Sequence, residues 1–535
     1  MTIGILLAGI IVVACVFLNR ATQKAGLPVL VAFIGLGLLF GTDGILGIYY
    51  EDYETVEKIC TVALIFIIFY GGFGTNWKHA KPVVSKAILL STLGVLFTAL
   101  LTGLFCHYVL HFGLLESFLI GSVISSTDAA SVFSILRSKR LGLKYNTDSL
   151  LEIESGSNDP TSYTLTILVL TMMTSGIQLQ STLQFIILQF AMGIFFGFIV
   201  AYGATYILKK IKLTADGFDL VFLVGIALVS YAVATYFNGN GYLSVYITGI
   251  ILGNQKMTNQ KAFVHFFDGI TGLMQMVIFF LLGFLATPSR IPDIFIPAIL
   301  IMIFLTVVAR PFATFLLLKP YGCKFKQLLL VSFAGLRGAA SIVFAILATV
   351  RLNDLSIDLY HIVFFIVLLS ILIQGTFLPK VSKWLDMTDK NIDVLKSFSD
   401  YSDEVDLRFI KVNLNSSHNW INQEIKNITL PPDTLIILIL RNKEKIIPSG
   451  KTILQEGDQL ILSAYKYRGE NQICLQEYII EKGSEWIQKT IKDFSPKANE
   501  LVIMIIRDSK TILPSGDTKI EEEDILVLYT NELVR

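Results

Sequence analysis

The sequence predicts a multi-pass α-helical membrane protein of about thirteen transmembrane helices, followed by a small α+β tail made of two repeats. Three observations lead to this fold class. The chain is 53% hydrophobic and only 16% charged, whereas soluble domains carry about a quarter charged residues. Apolar segments long enough to cross a bilayer recur up to Leu385. From Asp386 onward the sequence is polar and repeats itself.

The apolar segments each approach the ~20 residues that a transmembrane helix needs. Their approximate bounds are 2–18, 27–48, 56–75, 83–110, 115–137, 148–173, 182–208, 218–236, 241–254, 263–286, 294–318, 326–350 and 359–383. The first segment has no small-residue cleavage signature and is followed by further spans. It is therefore interpreted as a first transmembrane helix and not as a signal peptide.

Lysine and arginine are distributed unevenly between the loops, which indicates an orientation, because short cytoplasmic loops hold an excess of both. On the side that follows the even-numbered spans, the only such residues are Lys58, Arg290 and Arg351. The loops after the odd-numbered spans hold Arg20, Lys24, Lys78, Lys81, Lys86, Arg137, Lys139, Arg140, Lys144, Lys209, Lys210, Lys212, Lys256, Lys261, Lys319, Lys324, Lys326, Lys380 and Lys383. The N-terminus is therefore predicted to be outside and the tail cytoplasmic.

Three ionisable side chains are predicted to lie near the bilayer midplane. Asp128, Asp159 and Arg337 each lie about ten residues inside the fifth, sixth and twelfth spans, roughly 14–17 Å deep at 1.5 Å per residue. Charge at such depth is costly, so it usually faces a cavity or a partner. The polar run Leu151–Pro160 inside an apolar segment predicts a secondary transporter whose working carboxylate is Asp159. The alternative is that the acids, Glu152 above all, belong to a loop before a shorter span.

The residues around these charges disfavour continuous helix. Serine and threonine surround Asp128, glycine lies on both sides of Arg337, and Pro160 removes a backbone donor. Broken helices at the midplane, in corresponding places of two inverted repeats, are typical of a transporter site. The fifth and twelfth spans run in opposite directions, which fits two six-helix units with inverted topology. Alternatively, Arg337 serves only to neutralise Asp128 or Glu154.

The tail is an internal repeat with an offset of 66 residues. This offset aligns Trp420 with Trp486, Leu435 with Leu501, Arg441 with Arg507, Asp458 with Asp524, and the Pro-Ser-Gly turns at 448–450 and 514–516. Each unit is predicted to hold a short helix (Asn419 to Lys426 in the first), a buried strand (Leu435 to Arg441) and a final strand (Gln459 to Ala464). The domains are accordingly 1–385, 400–466 and 467–535. No Gly-x-Gly-x-x-Gly follows a strand there, so a dinucleotide-binding domain is not supported.

These motifs resemble a known family. The pair Thr127-Asp128, the cluster Glu154-Ser155 with Asn158-Asp159, and the stretch Gly335-Leu336-Arg337-Gly338 are similar to the monovalent cation:proton antiporter superfamily, NhaP-type branch. The resemblance covers about residues 1–385. The tail resembles a tandem of the TrkA-C type, the C-terminal lobe of regulators of potassium conductance. The combination is similar to bacterial potassium/proton antiporters.

The resemblance implies several site residues and partners. It implies a homodimer in which Asp159 binds cation or proton, with Thr127, Ser155, Asn158 and Asp128 beside it. It also implies a buried ion pair between Glu154 and Arg337. One position departs from the family, because relatives often carry an acid before Gly-Gly in the third span, where this chain has Tyr70-Gly71-Gly72.

A buried carboxylate makes the exchange of ions chemically reasonable. Away from water it holds either a proton or a partly dehydrated cation, but not both. Alternating access then predicts an antiporter that exchanges K⁺, or else Na⁺, for H⁺. Since residue 158 is Asn and not Asp, only one acid of that pair titrates, which predicts electroneutral 1:1 exchange. An ion channel gated by the tail is the alternative, but no Thr-Val-Gly-Tyr-Gly filter is present.

The remaining expectations concern cofactors, other partners and location. A membrane enzyme or sensor is disfavoured, because Ser155 and Ser157 have no histidine in the apolar segments nearby. The five cysteines show no metal or disulfide spacing, so no cofactor and no metal beyond the transported cation is expected. A small nucleotide such as cyclic di-AMP is a candidate effector of the tail, and nucleic acid is not expected, since the net charge is +1. The predicted location is the bacterial inner membrane.

Overall fold

A computed structural model gives the fold as two compact units, Met1–Ser402 and Asp403–Arg535. The structure describes residues 2–25, 28–50, 52–128, 131–132, 135–136, 141–176, 179–210, 217–255, 260–352, 355–389, 407–415, 418–431, 434–441, 444–465, 474–480, 483–494, 500–507, 510–512 and 514–530. The predicted tail boundaries at 400, 466 and 467 lie outside the described residues, and so do Ala129 and Ala130 beside Asp128.

The first unit is helical, with helix in each of the predicted spans. The main helices are α1 Thr2–Ala25, α2 Val29–Phe40, α3 Tyr53–Gly74, α4 Val84–Tyr108, α5 Leu114–Ile124, α6 Thr147–Ser175, α7 Leu179–Lys210, α8 Phe218–Tyr236, α9 Gly241–Gly253, α10 Gln260–Leu285, α11 at 291–318, α12 Phe325–Phe333, α13 Ala339–Arg351 and α14 Leu359–Trp384. Within the described residues, seven helices are long and apolar enough to cross a membrane. The prediction of a multi-pass helical protein is confirmed, while the number of thirteen spans stays a prediction.

Several helices begin at a side-chain cap. Asp52 accepts a hydrogen bond from the backbone of Thr55 at the start of α3, at 2.9 Å. Asn240 accepts one from Leu243 at the start of α9, also at 2.9 Å. Such caps satisfy backbone donors that the first helical turn leaves free.

Glycines allow the closest helix pairs to form. A Cβ atom on Gly37 of α2 would lie 2.1 Å from the carbonyl oxygen of Phe280 on α10, and one on Gly283 would lie 2.1 Å from that of Ile34. These contacts permit no larger residue without a backbone shift. Small residues give membrane helices this close packing, and here they hold α10 firmly against α2.

Two helices are broken where they meet, as the sequence predicts. α5 ends at Ile124, and residues 126–128 continue as non-helical chain. The twelfth span is interrupted between Phe333 and Ala339. The backbone N–H of Asp128 donates to the carbonyl of Leu336 at 2.8 Å, so each break supplies a partner to the other. Unpaired backbone groups are excluded from the hydrocarbon region, and this crossing therefore stabilises both breaks.

The sixth span is not broken at Pro160, contrary to the sequence-based expectation. α6 runs without interruption from Thr147 to Ser175. The amide nitrogen of Asn240 donates to the carbonyl of Pro160 at 2.7 Å and to the hydroxyl of Thr164 at 2.9 Å. Asn240 at the start of α9 thus hydrogen-bonds α6 close to the proline. A proline by itself removes only one backbone donor, so the helix can continue through it. Glu152 lies inside this helix and not in a preceding loop.

On the predicted cytoplasmic side of this unit, a short β-ladder joins the chain before α6 to the chain after α14. Strand β1 (Gly142–Leu143), just before α6, pairs antiparallel with β2 (Thr388–Asp389), just after α14. Lys144 and Asp386 form an ion pair at 2.9 Å beside it. Hydrogen bonding to Lys144 lowers the pKa of Asp386, and the same bond raises the pKa of Lys144.

The second unit contains two four-stranded sheets of the same topology, which fits the predicted repeat. One has the order β3-β6-β4-β5 and the other β7-β10-β8-β9. The strands are β3 Leu407–Asn413, β4 Leu435–Arg441, β5 Glu444–Ile446, β6 Gln459–Tyr465, β7 Cys474–Ile479, β8 Glu500–Arg507, β9 Lys510–Ile512 and β10 Ile525–Thr530. The predicted strands correspond to β4 and β6, whereas β3 and β5 were not predicted.

An arginine–aspartate pair recurs in each sheet at the predicted offset. Arg441 binds both carboxylate oxygens of Asp458, at 2.7 and 2.8 Å. Arg507 binds Asp524 in the same way, with both distances 2.7 Å. Burial acts to raise the pKa of Asp458, but the hydrogen bonds from Arg441 and from the backbone of Gln455 outweigh it, and the pKa lies below its usual value. The repeated Arg and Asp are thus structural.

The predicted helix Asn419 to Lys426 is wrong. Turns occupy most of this segment, and Ile425–Asn427 forms one turn of 3₁₀ helix. The backbone of Asn422 donates to Leu454 at 2.8 Å and that of Ile425 to Thr452 at 3.0 Å. The segment therefore pairs with the turn that follows β5, and these long-range bonds replace the bonds that a helix would make within itself.

The crossing of the broken helices predicts that Gly338→Ala destabilises the protein. An added Cβ would lie 2.0 Å from a carboxylate oxygen of Asp128, and overpacking of this kind costs about 1–3 kcal/mol. We expect a lower melting temperature and a lower yield of folded protein in detergent. Gly225→Ala is the control, because a Cβ there meets nothing within 4 Å. Equal melting temperatures of the two variants would contradict the packing described.

Candidate functional site

The predicted site residues meet at a cavity of about 640 Å³ inside the membrane unit. Ser126, Thr127 and Asp128 enter it from the break that follows α5, and Ser155 and Asp159 enter it from α6. Because α6 is continuous, residues 155 and 159 are one turn apart on one face. The break faces them with non-helical backbone, so oxygen atoms from both elements converge.

Asp159 is a predicted acid that is both buried and on the cavity wall. Its side chain is 8% exposed and lines the cavity wall. The hydroxyl of Ser126 donates a short hydrogen bond to its Oδ1. One carboxylate oxygen is thereby oriented by the broken helix. The cavity gives the carboxylate access to a small ion.

Thr127 is the centre of the polar contacts around Asp159. Its hydroxyl accepts from the Asn158 amide at 2.6 Å and donates to Glu154 at 3.5 Å. Its carbonyl accepts from the hydroxyl of Ser155 at 2.5 Å. Asn158 also donates to Glu154, at 3.3 Å. Four predicted residues are thus joined in one network, and its members orient each other across the junction of α6 and the break.

The ion pair of Glu154 is formed with Arg310 and not with Arg337, which corrects the prediction. Arg310 Nη2 lies 2.9 Å from Glu154 Oε2, and both side chains are almost fully buried, with 2% and 1% exposed. Arg310 lies on α11, directly after a π-helical turn at Leu305–Ala309. It was not among the predicted site residues, although an arginine inside an apolar span is itself a signal of a buried partner.

Arg337 instead holds the backbone of the other broken helix. Its Nη1 donates to the carbonyl oxygens of Ser125 and Ser126, at 2.8 and 2.6 Å. These are carbonyls at the end of α5, where the helix leaves acceptors without partners. The flanking glycines allow the chain to approach this closely. Arg337 therefore positions Ser126, the residue that hydrogen-bonds Asp159.

Asp128 serves mainly to shape the break. Its carboxylate accepts from the backbone of Ser131 at 3.2 Å, and the hydroxyl of Ser131 makes a short hydrogen bond to the other oxygen. This is the arrangement of a helix N-cap, in which a side chain satisfies backbone donors of a new helix. Asp128 also lines the cavity.

The structure also places polar residues outside the predicted set on the cavity wall, among them Asp268 and Tyr70. Asp268 of α10 lines the cavity, and the hydroxyl of Tyr70 donates to its Oδ1 at 3.1 Å. Tyr70 was noted from the sequence only as a departure from the family. Asp268 could have been found as a lone acid within an apolar span, the same signal that identified Asp159.

The donor set is suited to a monovalent cation. Hydroxyl, carbonyl and carboxylate oxygens lie where α6 faces the cavity. Oxygen donors are the ligands of hard cations. Among the described residues, no group of three or more His, Cys, Asp and Glu could hold a metal ion.

The family models agree with this architecture. The model described as sodium/hydrogen exchanger, transmembrane, matches residues 9–384. The TrkA-C domain model matches twice, at residues 409–466 and 475–532. The two matches in the tail coincide with the two sheets.

Relatives and a solved structure extend the comparison. The chain is 30% identical to a K(+)/H(+) antiporter NhaP2 of Shewanella baltica, over 85% of this chain and 80% of that protein. It is 30% identical to a K(+)/H(+) antiporter NhaP of Alkalimonas amylolytica, over 86% and 80%. The sodium proton antiporter MjNhaP1 of Methanocaldococcus jannaschii has the same fold, with a TM-score of 0.63 at 22% identity, covering 72% of this chain and 99% of that one. The chain therefore belongs to the transmembrane sodium/hydrogen exchanger family and carries two TrkA-C domains after its membrane unit.

Proposed function

We propose that this protein exchanges a monovalent cation for a proton by alternating access, with K⁺ as the preferred cation and Na⁺ as a possible one. Family membership makes it a cation/proton antiporter, and the K⁺ preference follows the relatives named K(+)/H(+) antiporter. The proposal rests mainly on Asp159, a buried carboxylate on the wall of a cavity. Proton and cation compete for it, which couples their movements. A tail-gated channel is not favoured by this family.

We assign the roles of the other site residues by their contacts. Thr127, Ser155 and Asn158 orient the oxygen atoms around the ion, and Asp128 supports the break that carries Ser126. Glu154 and Arg310 neutralise each other, and this leaves Asp159 as the acid that exchanges its proton. A single exchanging acid makes the cycle electroneutral, with one proton for each cation.

The tail, the assembly and the location complete the proposal. The domains are 1–385, 400–466 and 467–535, and the last two regulate transport by binding a small nucleotide such as cyclic di-AMP. The protein works as a homodimer in the bacterial inner membrane. Light scattering of the protein in detergent should give the mass of two chains. The N-terminus lies outside and the tail in the cytoplasm, as the loop cations indicate.

Proton flux in inside-out vesicles tests the function and its site. KCl or NaCl is added to a preformed pH gradient, and the collapse of the gradient is followed with a fluorescent amine. We expect K⁺ to act at lower concentration than Na⁺. Asp159→Asn should abolish the response, a loss in rate of more than about 100-fold. An amide neither takes up and releases a proton nor carries the negative charge that binds a cation. A normal rate in this variant would refute the site assignment.

The stoichiometry is tested in the same vesicles by imposing a membrane potential. One proton for one cation moves no net charge, so the rate and the final gradient should not depend on voltage. A potential that drives exchange in either direction would show unequal charges and would overturn the 1:1 ratio. Carrier-free vesicles control for leaks.

Regulation by the tail is tested by comparing the full chain with a chain that ends at Leu385. Cyclic di-AMP should change the exchange rate of the full chain and leave that of the shortened chain unchanged, since an effector acts only through differential affinity for two states. An equal response of both proteins would exclude the tail as the binding site. No response of the full chain would exclude this nucleotide as its effector.

A further inference from the structure

A second carboxylate faces the cavity from another group of helices. Asp268 and Asp159 both line the cavity, and Asp268 is exposed whereas Asp159 is buried. α10, which carries Asp268, packs against α2 and α3, while α6 packs against α4 and α5. The cavity lies between these groups, so an ion inside it is accessible to both carboxylates.

Asp268 belongs to a polar stripe on α10 that turns toward the cavity. The stripe has the spacing i, i+3, i+4 and i+7 that marks one helix face. Its members all line the cavity: Asp268, Thr271, Gly272 and Gln275. Phe263 and Phe267, which point away from this stripe, are buried. α10 thus presents its oxygen-bearing face to the space that the transported ion must enter.

Thr271 gives an independent sign of a ligand on this wall. Its side chain is only 6% exposed, and its hydroxyl has no hydrogen-bond partner among the described residues. Buried hydroxyls are nearly always paired, with protein, water or a ligand. This oxygen lies one helical turn from Asp268, on the same face and in the wall of the same cavity.

We propose that Asp268, Thr271 and the hydroxyl of Tyr70 form a second binding site for the monovalent cation, which the ion occupies before it reaches Asp159. The proposal rests on the proposed function. Tyr70 lies one turn before the end of α3 at Gly74, and Asp268 lies two turns after the start of α10 at Gln260. Both ends lead to loops rich in lysine. The second site therefore lies on the predicted cytoplasmic side of Asp159.

The difference in burial assigns distinct roles to the two sites. At the exposed carboxylate of Asp268, a cation keeps much of its water and is attracted electrostatically. At Asp159, protein oxygens replace more of that water. Tyr70 orients the Asp268 carboxylate through its hydrogen bond, at 3.1 Å. Asp268 thus raises the local concentration of cation in a cleft with apolar walls, as charged clefts do for ionic substrates.

The test measures the initial rate of gradient collapse against KCl concentration in inside-out vesicles, whose outer face is the cytoplasmic one. Asp268→Asn should raise the apparent KM for K⁺ about 5- to 10-fold, the effect of losing one charge-assisted contact. The maximal rate should stay within about twofold, because Asp159 is intact. Asp268→Glu keeps the charge and should restore most of the affinity. Tyr70→Phe should raise KM by less than Asp268→Asn.

Asp219→Asn is the matched control, since Asp219 lies in the first turn of α8 and is not among the residues that line the cavity. It should behave as the wild type. An unchanged KM in Asp268→Asn would overturn the second site. A lost maximal rate with unchanged KM would overturn it too, since that would make Asp268 necessary for the transport step itself. If the wild type itself fails to exchange, both the proposed function and the second site fail. If the wild type is active and Asp268→Asn has an unchanged KM, only the second site fails.

Discussion

The hydrogen bonds from Arg337 to the carbonyls of Ser125 and Ser126 are the interaction on which the membrane unit depends. A helix that stops in the middle of a bilayer leaves backbone groups that neither lipid nor water can satisfy. Here a guanidinium from one break satisfies the carbonyls of the other, and the bond from Asp128 to Leu336 joins the two backbones. These contacts stabilise the non-helical chain at 126–128.

The charges around α6 are arranged so that Asp159 stays available. Glu154 has a buried guanidinium partner in Arg310, and removing one member of such a pair leaves an uncompensated charge that costs about 3–5 kcal/mol. Asp128 hydrogen-bonds its own chain at Ser131. Asp159 has a hydroxyl partner in Ser126 and an open cavity beside it. A neutral partner leaves this acid able to lose one ion and take another.

Sequence reasoning succeeded where the cause was local. Serine, glycine and charge around Asp128 and Arg337 disfavour helix at those positions, so the two breaks could be predicted, and the network of Thr127, Ser155 and Asn158 lies within adjacent spans. It failed where distant residues decide. Arg310 and Arg337 both lie within predicted spans, and spacing along the chain does not reveal which one reaches Glu154. Asn240, which hydrogen-bonds the carbonyl of Pro160 within the continuous α6, is 80 positions from it along the chain. Tyr70 and Asp268 are 198 positions apart, and their contact left no local pattern.

The ladder of β1 and β2 fixes the chain that leaves α14 to the start of α6. The chain that leads to the TrkA-C domains leaves α14 and is at once paired with residues 142–143, directly before the helix of Asp159. Met387, between α14 and β2, is 1% exposed, which anchors that strand in the unit. A pull on the linker is therefore carried by backbone hydrogen bonds to the start of α6 as well as along α14. The ladder makes the transport helix and the tail's point of attachment one mechanical element.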